Sequence, residues 1–362
     1  MRQTAPRFLE LKPNWDDVRA RYEAFWAHEL AFPIFQVTSP ARNGFDHPDA
    51  APGDASRRFV DPEVVLPALR KHVRSTFWGG DAFPCAFPVS TGLVAIMAAY
   101  LGCPYRILPA LGTAWADPIL QSLEDQVLAA VEANPWWQAT RALLQGAAMD
   151  PERNYHIGIP DLQGDGQIAA LLRGTEDLAI DVLERPEQVR ALIEQIDEIW
   201  FFYWQECHRM ACSQTEGYVD WLGIWSALPM ATLECDFSCM ISERHFRDIF
   251  LPSIVRQATL VERTIYHLDG PGALRHLESL LELPQLDGIQ WVPGAGSKPM
   301  TEWVPLLRRI QAAGKLVVIA CEPNELEPLL SALDPAGLAI TVSCSSQDEA
   351  ERLSLAAGYP LA

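Results

Sequence analysis

The chain has almost no basic character to spare. Its 362 residues carry 28 Lys and Arg against 47 Asp and Glu, a net charge of −19 with the histidines neutral. No stripe of Lys and Arg appears, and neutralising a phosphate backbone needs clustered cations, so nucleic acid is not an expected partner. Long apolar runs are missing too. Nothing approaches the roughly 18 apolar residues of a membrane span, so no membrane association is expected. The opening "MRQTAPRFLELKPNWDDV" has no continuous apolar segment, so a secretory leader is not expected. The eight cysteines are scattered and form no CxxC pair, which argues for reduced thiols and a cytoplasmic location rather than a disulfide framework. Neither a GxGxxG fingerprint nor a P-loop occurs, which removes the sequence support for a nucleotide fold.

What is present is a globular composition, 49% hydrophobic and 21% charged, long enough for a large core. The first sixty residues hold one good helical pattern, "NWDDVRARYEAFWAHEL", with Asn14 at its start, then a strand pattern "FPIFQVT" and a polar Pro/Gly-rich loop. In "DPEVVLPALRKHVRS", Asp61 caps a helix whose first turn opens with Pro62. The middle is helix-rich, with apolar residues three and four apart in "DLQGDGQIAALLRG" and in the long "TEDLAIDVLERPEQVRALIEQIDEIWFFYWQECHRMAC". The aromatic run "IWFFYW" reads as core or subunit packing and leaves a homodimer open.

The last hundred residues alternate. "RTIYHL", "LDGIQWV", "KLVVIA" and "GLAITVS" are strand patterns, each followed by a helical one. Four such units require a parallel sheet, because each crossover helix returns the chain to the same end. "LVVIA" and "LAITV" are apolar throughout, as strands covered on both faces are. With further strand patterns upstream, the expected fold is α/β: one (β/α)8 TIM barrel over residues 1–362, with residues 1–60 an N-terminal helical extension. Chemistry in such a barrel sits at the C-terminal strand ends. His267, Asp269, Trp291, Cys321, Glu322 and Cys344 fall there.

The stretch "YHLDGPGALRH" is the most pointed. His267 and Asp269 are two apart on a strand and share a face. They suit half of a metal site, an acid/base pair, or a structural network above a Gly-Pro turn. "LECDFSCMIS" brings Glu234, Asp236 and Ser238 to another strand end, with Asp236 a candidate to orient substrate or support a ligand and "SERHF" a helix start at Ser242. Asp81 in "GDAFPCAFP" is a pocket candidate. Trp221, Trp225 and Trp291 offer flat apolar faces for a substrate, with core packing as the alternative. His276, more than two turns into the helical pattern after His267, is expected to face away from the pocket, and His208 and His245 sit in helical patterns as surface or packing residues.

In their order, "DLQGDGQIAALLRGTEDLAIDVLERPEQV", "CDFSCMISERHFRDIFLPSI", "YHLDGPGALRHLESL" and "VSCSSQDEAERL" resemble the uroporphyrinogen decarboxylase superfamily, over roughly residues 155 to 357. The likeness is nearer to the cobalamin-linked methyltransferases than to the decarboxylase, whose arginine-rich N-terminal motif is absent. The resemblance implies a (β/α)8 barrel. It implies a zinc ion held by a His-x-Cys pair and a later cysteine, activating a thiol for methyl transfer to or from a corrinoid. Here His267 stands at the family histidine, Asp269 replaces the first cysteine, and Cys344 stands at the later one. The expected zinc ligands are therefore His267, Asp269 and Cys344, with Asp236 and Glu322 assisting catalysis and Asp81, Trp225 and Trp291 contacting a small-molecule substrate. The Asp-x-His-x-x-Gly pattern of a corrinoid-binding segment is absent, so any cobalamin would come from a separate corrinoid protein. Two alternatives stay open: a metal-free decarboxylase or lyase acting on a small acid, and a non-catalytic tetrapyrrole-binding protein.

Overall fold

The structure, a computed structural model, describes residues 10–42, 57–90, 92–108, 110–124, 126–212 and 216–359. Most of the Pro/Gly-rich loop expected after the first strand lies outside them. Thirteen strands occur among the described residues: β1 (Ile34–Pro40), β2 (Thr76–Gly80), β3 (Cys85–Ala86), β4 (Tyr105–Leu108), β5 (Thr113–Ala116), β6 (His156–Ile157), β7 (Tyr218–Val219), β8 (Trp225–Ser226), β9 (Met230–Glu234), β10 (Arg263–Asp269), β11 (Gly288–Val292), β12 (Leu316–Ala320) and β13 (Leu338–Ser343). Seven of them form one sheet in the order β2-β1-β13-β12-β11-β10-β9. The four strand–helix units at the end of the chain are its parallel centre, and β9 and β1 extend it in parallel on either side.

The closed eight-stranded ladder expected from the sequence is not found. β2 runs antiparallel to β1, and no ladder joins β2 to β9. The chain between them contributes only two-stranded ribbons. The reason is local: β3 is boxed in by Pro84 and Pro88, and β6 is followed by Gly158 and Pro160. Proline has no N–H to give a ladder, and glycine weakens one. Single contacts cross this region instead. Asp81 N donates to Phe35 O at 2.7 Å, Gly158 N to Ala86 O at 2.9 Å and Ile159 N to Val219 O at 3.0 Å, while the Thr232 hydroxyl donates to Asp220.

The two faces of the sheet bury different cores. One face packs against the crossover helices and carries Leu233, Leu268, Ile289, Trp291, Ile319 and Ile340. The other carries Ile34, Met230, Ile265, Leu316, Val318 and Ala339, covered by Trp15, Val18, Tyr22, Phe25 and Trp26 of the helix Trp15–Trp26. Each fully buried side chain of this kind contributes about 1.5–3 kcal/mol. The residues at the start of a chain read as an extension are thus part of the core, and Lys12 ties them down by donating to Gly80 O at 2.6 Å.

Along that second face, alternation gives each strand the same gradient. β9 presents Met230, Thr232 and then Glu234; β10 presents Ile265, His267 and Asp269; β11 presents Gly288 and Gln290; β1 presents Ile34 and Gln36. The N-terminal layer is apolar and the C-terminal layer polar. The long helix Pro186–Ala211 opens with Pro186 at its first turn, and Trp200, Tyr203 and Trp204 of the aromatic run are buried within the chain. Among the described residues, no helix is long and apolar enough to cross a membrane.

Candidate functional site

The polar layer converges at the C-terminal ends of β9 and β10. Register places Glu234 directly beside His267, and His267 beside Gln290. Asp236 follows in the turn after β9. The ligand-type atoms of Glu234, Asp236 and His267 all lie within 4.8 Å of one another, and among the described residues this is the group of His, Cys, Asp and Glu side chains spaced to hold a metal ion.

Each member is positioned by its neighbours. His267 Nδ1 lies 2.5 Å from Gln290 Oε1. An amide oxygen only accepts, so Nδ1 carries a proton, and in the neutral ring the lone pair is on Nε2. The half-buried Trp221 meets the imidazole edge-on, with ring centroids 5.2 Å apart. Glu234 is 5% exposed, and its Oε1 accepts from Gly164 N at 3.1 Å. Only glycine fits at 164, because a Cβ there would stand 1.7 Å from Glu234 O. Asp161 accepts from Gln163 N at 2.8 Å, in a loop that puts Gln163 at φ 61°. Asp220 accepts from Leu222 N at 3.1 Å and from the Thr232 hydroxyl. Beside the cluster lies a small void of about 10 Å³, room for a single water, whose walls include Pro160, Leu162, Gln163, Asp220, Trp221 and Thr232.

Burial dominates the electrostatics. It pushes Asp161 up to about 6, against the Gln163 N–H and His267, which favour the charged form, and with Asp236, which opposes it. Asp220 is likewise pushed up to about 6, in spite of its two donors. Glu234 is held well above the usual carboxylate range by burial and then by Asp161 and Asp236. Burial also raises Asp236, with His267 pulling down and Asp269 adding to the rise. Carboxylates so disposed wait for a proton or a cation.

Of the expected site residues, His267 and Asp236 come together here. Asp269 ends β10 close enough to act on both Asp236 and Glu234, but it lies outside the three-residue group. Cys344 also lies outside it. The thiol sits past β13, three strands away from β10, and burial pushes it up to about 11. Glu322 is exposed and caps the short helix Pro323–Glu325, exchanging hydrogen bonds with Glu325. Asp81 is 1% exposed with both oxygens taken: Arg21 Nε donates to Oδ1 at 2.7 Å, and Phe35 N and the Tyr359 hydroxyl reach Oδ2 at 2.9 and 2.6 Å. Its setting is a structural tie. Trp225 and Trp291 are fully buried in the cores on opposite faces of the sheet, so neither offers a face to a substrate. His276, expected to turn away from the pocket, is buried against Ser238 O at 2.9 Å.

Sequence reasoning missed Asp161, Asp220 and Gln290. The helix expected over "DLQGDGQIAALLRG" begins only at Asp165, which leaves Asp161 in the loop before it. Gln290 was open to inference: in "LDGIQWV" it is the one polar side chain inside an apolar strand.

No family model matches the chain, and no curated protein matches it. A solved structure does: a methyltransferase from Methanosarcina mazei, 13% identical, with a TM-score of 0.59 over 94% of this chain and 97% of that one. At that identity the likeness is one of fold.

Proposed function

We propose that this protein is a metal-dependent, methyltransferase-like enzyme of the uroporphyrinogen decarboxylase superfamily that acts on a small molecule, its seven-stranded sheet and short ribbons forming a distorted barrel. The observation that carries the reading is the Glu234–Asp236–His267 group at the strand ends, on a fold shared with a methyltransferase. Two carboxylates and one imidazole suit a divalent ion, zinc included. The set lacks the thiolates of the resembled family, so it favours a harder, more Lewis-acidic ion than a thiolate site would. A bound ion would supply electrostatic polarisation of a substrate oxygen or nitrogen. The chain's own residues do the rest. Gln290 fixes the His267 tautomer, Trp221 walls the pocket, and Asp161 is available near neutral pH to accept or return a proton. A corrinoid carried by a separate protein is the methyl carrier this reading calls for.

The second reading is a metal-free lyase. Asp161 at about 6 in the electrostatic field of His267 supports it, because a carboxyl poised near neutrality and a free imidazole nitrogen suffice for acid/base work. Metal analysis separates the two. We expect about one divalent ion per chain, retained in Cys344→Ala and lost in His267→Ala and Glu234→Gln. A protein that takes up no ion after incubation with zinc or manganese refutes the metal reading and leaves the lyase.

A further inference from the structure

Asp165 stands between two glycines that press on the end of β9. Gly164 donates its N–H to Glu234 Oε1 at 3.1 Å, and a Cβ on Gly166 would come within 2.5 Å of Cys235 Sγ. The Asp165 side chain is taken up by two other helices. Ser253 donates to Oδ2 and Gln257 Nε2 to Oδ1, the latter at 3.1 Å, both from the helix Leu251–Leu260. Asp165 is also hydrogen-bonded to Asp197 of the helix Pro186–Ala211. Both acids are buried.

A carboxylate oxygen only accepts, so a hydrogen bond between two carboxyls needs a proton on one of them. Among the described residues no other donor reaches Asp197 Oδ1, which is buried. The counter-charge agrees. Arg256 pairs with Asp197 Oδ2 and is the cation that acts on both acids. Two ionised carboxylates with one guanidinium would leave a buried charge uncompensated. Burial, and then Asp197, hold Asp165 well above the usual carboxylate range, against Ser253, Gln257 and Arg256. The Cys235 thiol, which feels Asp165 from the end of β9, is itself raised by burial and stays neutral.

We propose that Asp165 and Asp197 share one proton at neutral pH, and that this joint positions Gly164 against Glu234 and so holds the metal group in shape. Asp165 is a positioning residue that acts through Gly164. The effect on the ion rests on the functional reading above; the shared proton stands without it. Loss of the proton at alkaline pH places two negative charges between three helices and loosens the first turn of Asp165–Arg173.

The test compares the full-length protein with Asp165→Asn and Asp165→Ala. An asparagine amide reproduces the protonated acid, because it donates to Asp197, accepts from Ser253 or Gln257 and cannot ionise. A shared proton makes the folded parent bind one proton more than the unfolded chain. In metal-free buffer, the unfolding equilibrium constant of the parent relative to Asp165→Asn is therefore expected to rise about tenfold per pH unit between about pH 5 and pH 7. A ratio that does not change with pH means that Asp165 is ionised when folded, and it overturns the proposal. Hydrogen exchange at the Gly164 amide reads the positioning without any ion: about tenfold faster in Asp165→Ala and parent-like in Asp165→Asn. Zinc affinity is expected to fall about tenfold in Asp165→Ala and to hold in Asp165→Asn. Parent-like exchange in Asp165→Ala shows that Gly164 is held without the pair and overturns the positioning role. A parent that takes up no zinc refutes the metal reading alone, because the pH slope and the exchange rates are measured without an ion.

Discussion

His267 and Gln290 face each other across β10 and β11, and the imidazole Nδ1–H donates a hydrogen bond to the amide oxygen over 2.5 Å. The bond does two things: it sets the ring plane, and it assigns the lone pair to Nε2. Outer partners of this kind are worth roughly ten- to a hundredfold in metal affinity. Gln290→Leu keeps the volume and removes the acceptor. Its ion affinity is expected to fall by that factor, with a stability change within about 1 kcal/mol because no buried charge is exposed. Metal titration alongside urea unfolding checks both halves. Unchanged affinity would show that the ring is held by Trp221 alone.

Gly164 is the second support. The Cβ that Gly164→Ala adds would meet Glu234 O at 1.7 Å and Cγ at 3.2 Å. The obstacle is backbone at the end of β9, the outermost strand of the sheet, so no side-chain tip can swing aside. Overpacking of this sort costs about 1–3 kcal/mol, and the displaced strand end carries Glu234 with it. The variant is expected to lose stability in denaturant and ion affinity together. A folded variant with native affinity would mean that the helix Asp165–Arg173 can retreat without cost to the site.

How much of this was legible follows from what kind of signal each part leaves. The parallel centre was readable because "LVVIA" and "LAITV" are short apolar runs, as strands buried on both faces are, and they alternate with helical patterns. The open side of the sheet was not. Strands of two residues between prolines, such as Cys85–Ala86, leave no periodic pattern, and their pairing depends on contacts far apart in sequence. His267 and Asp236 were legible as polar residues at strand ends. Their partnership with Glu234 was not, because register between β9 and β10 decides it and no local pattern encodes register. Asp81, Trp225 and Trp291 show the converse failure. A strand-end position alone does not tell a ligand contact from a buried tie, since the two faces of a strand end differ by one residue.

Asp81 provides a prediction of that structural role. Its buried carboxylate receives Arg21 from the helix Trp15–Trp26, the Phe35 N–H of β1 and the Tyr359 hydroxyl near the end of the chain. Breaking a buried pair by removing one partner costs about 3–5 kcal/mol, because the other charge is left stranded. Asp81→Ala is expected to lose that much in urea unfolding while the folded remainder binds metal normally. Arg21→Lys is expected to fall short of rescue, since an ammonium cannot reproduce the two-pronged contact. A variant that stays stable but loses ion or ligand binding would return Asp81 to the pocket.

Asp220 sets a pH dependence with a definite sign. Its folded value stands at about 6 against an ordinary 3.8, so the folded state holds the proton more tightly than the unfolded one. Stability from this group is therefore fully present below about pH 4 and is lost as pH rises through about 6. Two units correspond to roughly 3 kcal/mol. Asp220→Asn cannot ionise, so relative to the parent it is expected to gain stability steadily from pH 4 to pH 7. Asp161, also at about 6, keeps its own slope of the same sign in that variant. The measurement is the difference in unfolding free energy between parent and Asp220→Asn in metal-free buffer at half-unit pH steps. A difference that does not vary with pH would mean that Asp220 ionises at its ordinary value, and that the Thr232 hydroxyl and the Leu222 N–H fully offset its burial.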